Sequence, residues 1–110
     1  MFGESHFIAL LEYKSTEEGG RKTAASSGYR PHIKFPFDEY MTSGIQLFID
    51  TEFVLPGESV SAIIRILSTE YFEGKLYEGL EFVFCEGSRT IGTGKITEII
   101  NPKLKHNFQE

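Results

Sequence analysis

Two basic residues in a glycine-rich segment are the first candidates for chemistry. The segment EEGGRKT, residues 17–23, places Arg21 and Lys22 directly after two glycines that let the backbone bend sharply. An arginine can donate to two oxygens of one phosphate and a lysine supplies a point charge, so this pattern suits contact with a phosphate backbone. A solvated charged loop would have the same composition. Arg89, in the turn EGSRT at residues 86–90, leaves the same two alternatives open.

The histidines and carboxylates show no pattern typical of a catalytic site. His6, His32 and His106 lie far apart in the sequence, and none has a carboxylate or hydroxyl at a spacing that indicates a proton relay. The adjacent acids at 17–18 and 38–39 are typical of solvated surface. We therefore predict that the chain has no catalytic residues and is not an enzyme.

Metals, nucleotides and other cofactors are not expected either. Cys85 is the single cysteine, so it has no second thiol for a disulfide or for a zinc-type ligand cluster. The sequence has no GxxxxGK[ST] segment to bind phosphates, and Gly92 and Gly94 lack the strand-to-helix context of a nucleotide loop. The prediction is no metal, no cofactor and no nucleotide.

Composition sets the class of protein. The chain has 110 residues, 40% of them hydrophobic and 25% charged, which fits one soluble domain with its own core. No apolar run approaches the roughly 20 residues of a membrane span, and the N-terminus lacks a signal pattern, so we predict no membrane association and a cytoplasmic location. The net charge of −5 argues against indiscriminate binding of nucleic acid.

Alternating apolar residues predict an all-β fold. Residues 32–37 alternate between two faces, and their prolines indicate an edge strand or irregular strand ends. Further strand-like runs occupy residues 6–13, 45–49, 53–55, 60–67, 80–85 and 90–100. With no segment of helical period, the sequence predicts a small antiparallel barrel or sandwich.

The connecting segments carry three further expectations. Residues 14–28 have no hydrophobic period and predict a long exposed loop. Gly92 and Gly94, two residues apart on one strand, indicate a close backbone approach or a barrel corner. The polar residues after Pro102 predict a frayed tail.

Three segments in order give the chain a family resemblance. They are EEGGRKT at 17–23, GYRPHIKF at 28–35 and EGSRTIGTGKITEII at 86–100, and LPGE at 55–58 supports them. Together they resemble the third, C-terminal domain of bacterial translation elongation factor Tu, whose pattern is EEGGRHT, GYRPQFYF and EGGRTVGAGVVTEI. The resemblance covers roughly residues 6–100 and implies a six-stranded antiparallel β-barrel, with residues 1–5 as an N-terminal tail and 101–110 as a polar C-terminal tail.

In that family the barrel packs on a second barrel and a GTPase domain, and it contacts the T-stem of aminoacyl-tRNA and the nucleotide-exchange factor. The resemblance implies a candidate RNA-binding set made of Arg21, Lys22, Thr23, Glu86, Gly87 and Arg89. Lys22 stands where the family has histidine, and Cys85 stands where it has arginine. Lys22 keeps a donor and adds charge, whereas Cys85 removes a cation, and the segment 68–78 has no clear counterpart of a family lysine that faces the nucleic acid. The loss of these two cations predicts that any tRNA binding is weakened.

A second candidate set concerns a protein interface. The stretch GYRP is kept intact and matches a family surface that faces the GTPase domain, although it also suits a role in shaping the strand entry. The segment 68–78 is longer than in the family and is either a new interaction surface or a loop that packs on itself. The candidates are Gly28, Tyr29, Arg30, Pro31, Tyr71 and Phe72.

Taken together, these patterns predict a binding module that docks on a protein partner of the translation machinery. The alternative is a weak tRNA or RNA binder of the T-stem type. GTP hydrolysis is not carried over, because the resemblance does not extend to a GTPase domain.

Overall fold

The computed structural model describes residues 5–106 and shows an all-β domain. Its strands are β1 (Phe7–Tyr13), β2 (Ala25–Ser26), β3 (His32–Lys34), β4 (Thr42–Phe48), β5 (Phe53–Val54), β6 (Ser59–Ile66), β7 (Glu81–Glu86) and β8 (Arg89–Ile99). Two short 3-10 helices cover Glu70–Phe72 and Pro102–Leu104. Of the predicted N-terminal tail, only Ser5 lies within the described residues.

Six strands close into an antiparallel barrel in the order β1-β6-β4-β3-β7-β8, with β8 returning to β1. The remaining two strands, β2 and β5, form a separate two-stranded ribbon. The barrel confirms the predicted six-stranded fold. Alternation on β6 is confirmed as well, because its inward residues Val60, Ala62, Ile64 and Ile66 are all buried.

Two prolines flank a central strand rather than marking an edge. Of the two alternatives for residues 32–37, the edge strand is wrong, because β3 pairs with both β4 and β7, whereas irregular strand ends fit the three-residue β3. Pro31 and Pro36 lie just outside the three residues of β3, so neither has to donate to the ladder. Pro31 still takes part in backbone pairing as an acceptor, because its carbonyl accepts from the backbone N–H of Gly44 at 3.0 Å.

Glycines on β8 make room for aromatic rings of the core. Gly94 lies opposite Phe82 and Gly92 opposite Phe84 in the β7–β8 pairing. A Cβ atom at either glycine would overlap the facing ring. The predicted close approach is confirmed, and its main partner is a phenylalanine side chain on the neighbouring strand.

The segment after β1 is more ordered than a long exposed loop. Gly20 and Ala25 are buried, and Ala25 pairs with Val54 in the β2–β5 ribbon. The prediction of an exposed loop is therefore wrong at these positions. A pairing of two residues is too short to give an alternating sequence pattern, so the sequence carried no sign of it.

The C-terminal segment packs on the barrel instead of fraying. Leu104 is fully buried, and the backbone carbonyls of Lys103 and Leu104 accept from the N–H groups of Gly74 and Leu76 at 2.9 Å each. The prediction of a frayed tail is wrong for residues 101–106, and 107–110 lie outside the described residues. The reason is mutual burial, since the long segment 68–78 and the C-terminal segment cover each other.

Candidate functional site

The three motifs that carry the family resemblance meet at one end of the barrel. The guanidinium of Arg21 donates to Glu86 Oε2, and the hydroxyl of Tyr29 donates to the same oxygen. Arg21 Cζ also lies 4.6 Å from the centroid of the Tyr29 ring. One residue from each motif therefore contributes to a single cluster, which we call the clasp (Arg21, Tyr29 and Glu86).

Most of the donors of Arg21 are used within the domain. Its Nε donates to the carbonyl of Thr23 at 3.3 Å, and its second terminal nitrogen donates to Thr23 Oγ1 and the Ala24 carbonyl at 3.2 Å each. The side chain is 19% exposed. A guanidinium with this many internal acceptors has little left to offer a phosphate.

The protonation states of the clasp follow from its contacts. Burial alone lowers the pKa of Arg21, but the contacts with Tyr29 and Glu86 outweigh burial and raise it overall. Burial raises the pKa of Tyr29, and its hydrogen bond to Glu86 adds to this. At neutral pH the clasp therefore holds a cationic arginine and a neutral tyrosine.

The predicted RNA-binding residues are brought together, but they divide by accessibility. Arg21 and Glu86 are largely occupied with each other, and Thr23 accepts from Arg21. Exposed cations remain at Lys22 and at Arg89, whose side chain is 52% exposed and has a terminal nitrogen 3.9 Å from Glu86 Oε1. Gly87 is exposed and has φ of 59° in the tight turn between β7 and β8, a conformation that favours glycine.

The predicted interface stretch at 28–31 is only half on the surface. Gly28 and Arg30 are exposed, Tyr29 is partly buried in the clasp, and Pro31 is buried beside β3. The Gly28 N–H donates to the carbonyl of Gln46 at 2.7 Å. These contacts match the alternative in which the stretch shapes the entry into β3.

Phe72 anchors the segment 68–78, and its neighbour Tyr71 faces out. The Phe72 side chain is 3% exposed and its ring centroid lies 5.3 Å from that of Phe35 in the core. The prediction that Phe72 belongs to an exposed surface is wrong, because its side chain packs against the core and is almost fully covered. Tyr71 is 50% exposed, so the segment 68–78 both packs on the domain and presents an aromatic residue.

Three exposed residues beside Tyr71 were missed by the sequence analysis. Phe37, Tyr40 and Met41 all lie in the connection between β3 and β4, and with Tyr71 they form what we call the aromatic surface. Tyr40 is the most exposed of them at 78%. The sequence signal for the exposure of these residues was Pro36. It begins a turn in which the Asp38 N–H donates to the Phe35 carbonyl, and this turn ends the strand alternation before Phe37.

A pocket of about 270 Å³ opens within the aromatic surface. We call it the Asp38 pocket, and it is lined by Asp38, Tyr40, Met41, Thr42, Ser68, Tyr71 and Phe72. The Asp38 side chain is held by the backbone N–H of Tyr40, which donates to its Oδ1 at 3.0 Å. The pocket and the clasp lie at opposite ends of the barrel. Phe35, which contacts Phe72 of the pocket, also contacts Phe7 at the start of β1. Ile91, which follows Glu86 of the clasp along the β7–β8 hairpin, accepts a hydrogen bond from the backbone N–H of Lys14 just after the end of β1.

The described residues, 5–106, also bear on metal binding and membrane insertion. Within that range no group of three or more histidines, cysteines, aspartates or glutamates is placed to hold a metal ion. None of the helices described there is long and apolar enough to cross a membrane.

Residues 4–100 match the family model described as the elongation factor Tu C-terminal domain. The match covers nearly nine-tenths of the chain and includes all three motifs that meet in the clasp, as well as every strand of the barrel. The chain therefore belongs to the elongation factor Tu C-terminal domain family.

Proposed function

We propose that this domain is a non-catalytic binding module that acts in the cytoplasm by docking on a protein partner of the translation machinery. The observation that carries the proposal is the aromatic surface, where Tyr40, Met41 and Tyr71 lie exposed around one pocket and the exposed Phe37 contacts Phe72 in the lining of that pocket. Aromatic residues and methionine are enriched at the centres of protein interfaces. A cluster of them at one end of a barrel supports a docking role.

The state of the basic residues also favours a protein partner over RNA. Arg21 is engaged in the clasp, and Cys85 is buried where the family has an arginine. Each lost phosphate contact weakens nucleic-acid binding and reduces its dependence on salt. With a net charge of −5, little long-range attraction to RNA remains.

A second candidate function is weak binding of tRNA. It is favoured by the two exposed cations Lys22, next to Arg21 in the sequence, and Arg89, which lies near Glu86 of the clasp. Their position matches the part of the family that approaches the T-stem. Two contacts of this kind predict low affinity and a shallow dependence on salt.

Calorimetric titration of the purified chain with two proteins tests the proposal. The first is elongation factor Tu truncated to its GTPase domain and second barrel, and the other is the nucleotide-exchange factor. We expect saturable binding to one of them, and Tyr40→Ala should weaken it. Phe53→Ala is the control and should leave binding unchanged, because it removes an aromatic residue that is 61% exposed on the separate β2–β5 ribbon. Absence of binding to both proteins would contradict the proposal.

Titration with tRNA at two salt concentrations tests the second candidate. Salt-sensitive binding that is lost in the double variant Lys22→Ala plus Arg89→Ala would favour the tRNA function. Binding that the double variant leaves unchanged, or no binding at low salt, would exclude it.

A further inference from the structure

The Asp38 pocket contains a buried carboxylate oxygen without a partner. Asp38 is 8% exposed, and its Oδ2 is covered and forms no hydrogen bond to any residue from 5 to 106. Its other oxygen is fixed by the Tyr40 N–H, so the group cannot swing out to water without losing that bond. A buried acceptor left unpaired is costly, and more so when it is charged.

The walls of the pocket suit a cation. Tyr40 and Tyr71 are exposed aromatic residues on its rim, and the negative face of an aromatic ring attracts ammonium and guanidinium groups. The Tyr71 ring already shows this, because Lys75 Nζ lies 4.0 Å from its centroid. The ring of Tyr71 is thus in contact with one cation supplied by the chain itself.

Apart from Lys75 on the Tyr71 ring, the charges in the pocket's own lining segments are negative. The two segments that line it, residues 36–43 and 67–73, contain the acids Asp38, Glu39, Glu70 and Glu73 and no lysine or arginine. The charge of the Asp38 carboxylate is the main cause that raises the pKa of the Tyr71 phenol above its ordinary value, followed by burial, by hydrogen bonding between Tyr71 and Asp38, and by Tyr40. Tyr71 therefore lies within reach of the Asp38 charge, although Oδ2 has no hydrogen bond of normal geometry from it.

From these observations we infer that the Asp38 pocket binds a lysine or arginine side chain from a basic segment of the protein partner. The entering N–H group supplies the missing hydrogen bond to Asp38 Oδ2, and its charge is stabilised by the carboxylate and the two tyrosine rings. The inference rests on the proposed docking function and names the chemistry of the contact. An RNA backbone does not fit, because its phosphates carry the same sign as the pocket.

The inserted segment explains why the pocket exists in this chain. Phe72 and Leu76 are buried and hold residues 68–78 against the barrel. That anchorage places Tyr71 and Ser68 opposite the connection between β3 and β4, which supplies Asp38, Tyr40 and Met41. The segment that departs most from the family pattern thereby builds one wall of the site.

Nuclear magnetic resonance titration of the isotope-labelled chain with a matched pair of peptides tests the inference. The probes are N-acetyl-Gly-Lys-Gly-amide and the same peptide with acetyllysine, which keeps the length but lacks the charge. We expect the lysine peptide to shift the backbone signals of residues 40–42 and 68–71, and the acetyllysine peptide to leave them in place. Equal shifts from both peptides would overturn the inference.

Variants assign the effect to individual groups. Asp38→Asn keeps an oxygen for the Tyr40 N–H and should weaken binding of the lysine peptide at least about fivefold, because the charge partner is lost. Tyr40→Ala, at a highly exposed position that does not support the core, should also weaken it. Lys75→Gln should strengthen it, because the competing internal cation is removed.

A control variant separates local from general electrostatics. Glu17→Gln removes one exposed acid at the opposite end of the barrel and should change the affinity by less than about twofold at physiological salt. An Asp38→Asn variant that binds the lysine peptide like the parent chain would overturn the inference, and so would tRNA that shifts the same signals. The calorimetric experiment with translation proteins decides the docking function separately, since it does not depend on the peptides.

Discussion

The guanidinium of Arg21 donates to the carboxylate of Glu86, although the two residues are 65 positions apart in the sequence. The contact ties the segment after β1 to the hairpin between β7 and β8, and Tyr29 bonds to the same carboxylate oxygen. A residue that sequence similarity marks as a nucleic-acid contact is therefore held in an internal ion pair. In this chain the pair stabilises the end of the barrel.

A double-mutant cycle should reveal that ion pair. Arg21→Ala and Glu86→Ala are each expected to lower the free energy of unfolding, with a coupling energy of about 1–2 kcal/mol because the pair is partly buried and hydrogen-bonded. Urea unfolding of the parent, the two single variants and the double variant measures it. Arg89→Ala is the control, with an expected loss below about 0.5 kcal/mol because Arg89 is exposed. Additive effects of the two alanine substitutions would contradict the ion pair.

Replacement of Gly94 by alanine should disturb the barrel core. The added methyl group would overlap the ring of Phe82, and overpacking of this kind costs about 1–3 kcal/mol. Thermal unfolding should show a lower Tm for Gly94→Ala, while Thr93→Ala on the outward face of the same strand changes it little. Partial recovery of Tm in Gly94→Ala plus Phe82→Leu would assign the effect to the ring. A Gly94→Ala variant as stable as the parent would refute the close packing.

Alkaline pH should weaken the fold through Tyr13. Burial, helped by the nearby Tyr29, raises the pKa of Tyr13 well above its ordinary value of 10.0. The unfolded chain then releases this proton above pH 10 while the folded chain keeps it, so stability falls by about 1.4 kcal/mol per pH unit for each such group. Stability below pH 10 is unaffected by this ionisation.

Unfolding in urea at pH 8, 10 and 11 measures the effect. Tyr13→Phe should be less stable at pH 8 by about 1–3 kcal/mol, because the buried amide oxygen of Gln46 loses its donor. Above pH 10 its stability should decline less steeply than that of the parent. Tyr40→Phe, at an exposed position, should keep the parental pH dependence. Equal slopes for the parent and Tyr13→Phe would contradict the prediction.

The C-terminal segment should be part of the cooperative unit. Leu104 is fully buried, and Leu104→Ala should cost about 2–4 kcal/mol of unfolding free energy. Lys103→Ala, at an exposed neighbour, is the control. Hydrogen exchange should also show protection of the Leu76 N–H, which donates to the Leu104 carbonyl, and loss of that protection in Leu104→Ala. Fast exchange at Leu76 in the parent chain would show that the segment is frayed.

Much of the fold could be predicted from the sequence because the barrel strands bury one face each. Ile64 on β6 and Phe84 on β7 are fully buried members of such faces. The order of the family motifs then reduced the two predicted architectures, a barrel or a sandwich, to a six-stranded barrel. The tail was predicted wrongly because Leu104 is buried where the C-terminal segment meets the segment 68–78, and no local period signals a contact between distant irregular segments.

The candidate sites were predictable only in part. Motif matching brought Arg21 and Glu86 into one set, but it could not show that they bind each other. At the other end, Asp38 looked like one of two adjacent surface acids, whereas a turn started by Pro36 buries it. In both cases the three-dimensional position of a residue, rather than its type, decides whether its side chain is buried or paired inside the domain.

The central claim is that the aromatic surface is where a translation protein docks. Its most direct test is a nuclear magnetic resonance footprint of the labelled chain in complex with a partner. The partner is the protein that binds in the calorimetric titration, either truncated elongation factor Tu or the nucleotide-exchange factor. We predict that the largest changes fall on Phe37, Tyr40, Met41 and Tyr71, with little change at Lys22 and Arg89. A footprint centred on Lys22 and Arg89, or no footprint with either protein, would contradict the account.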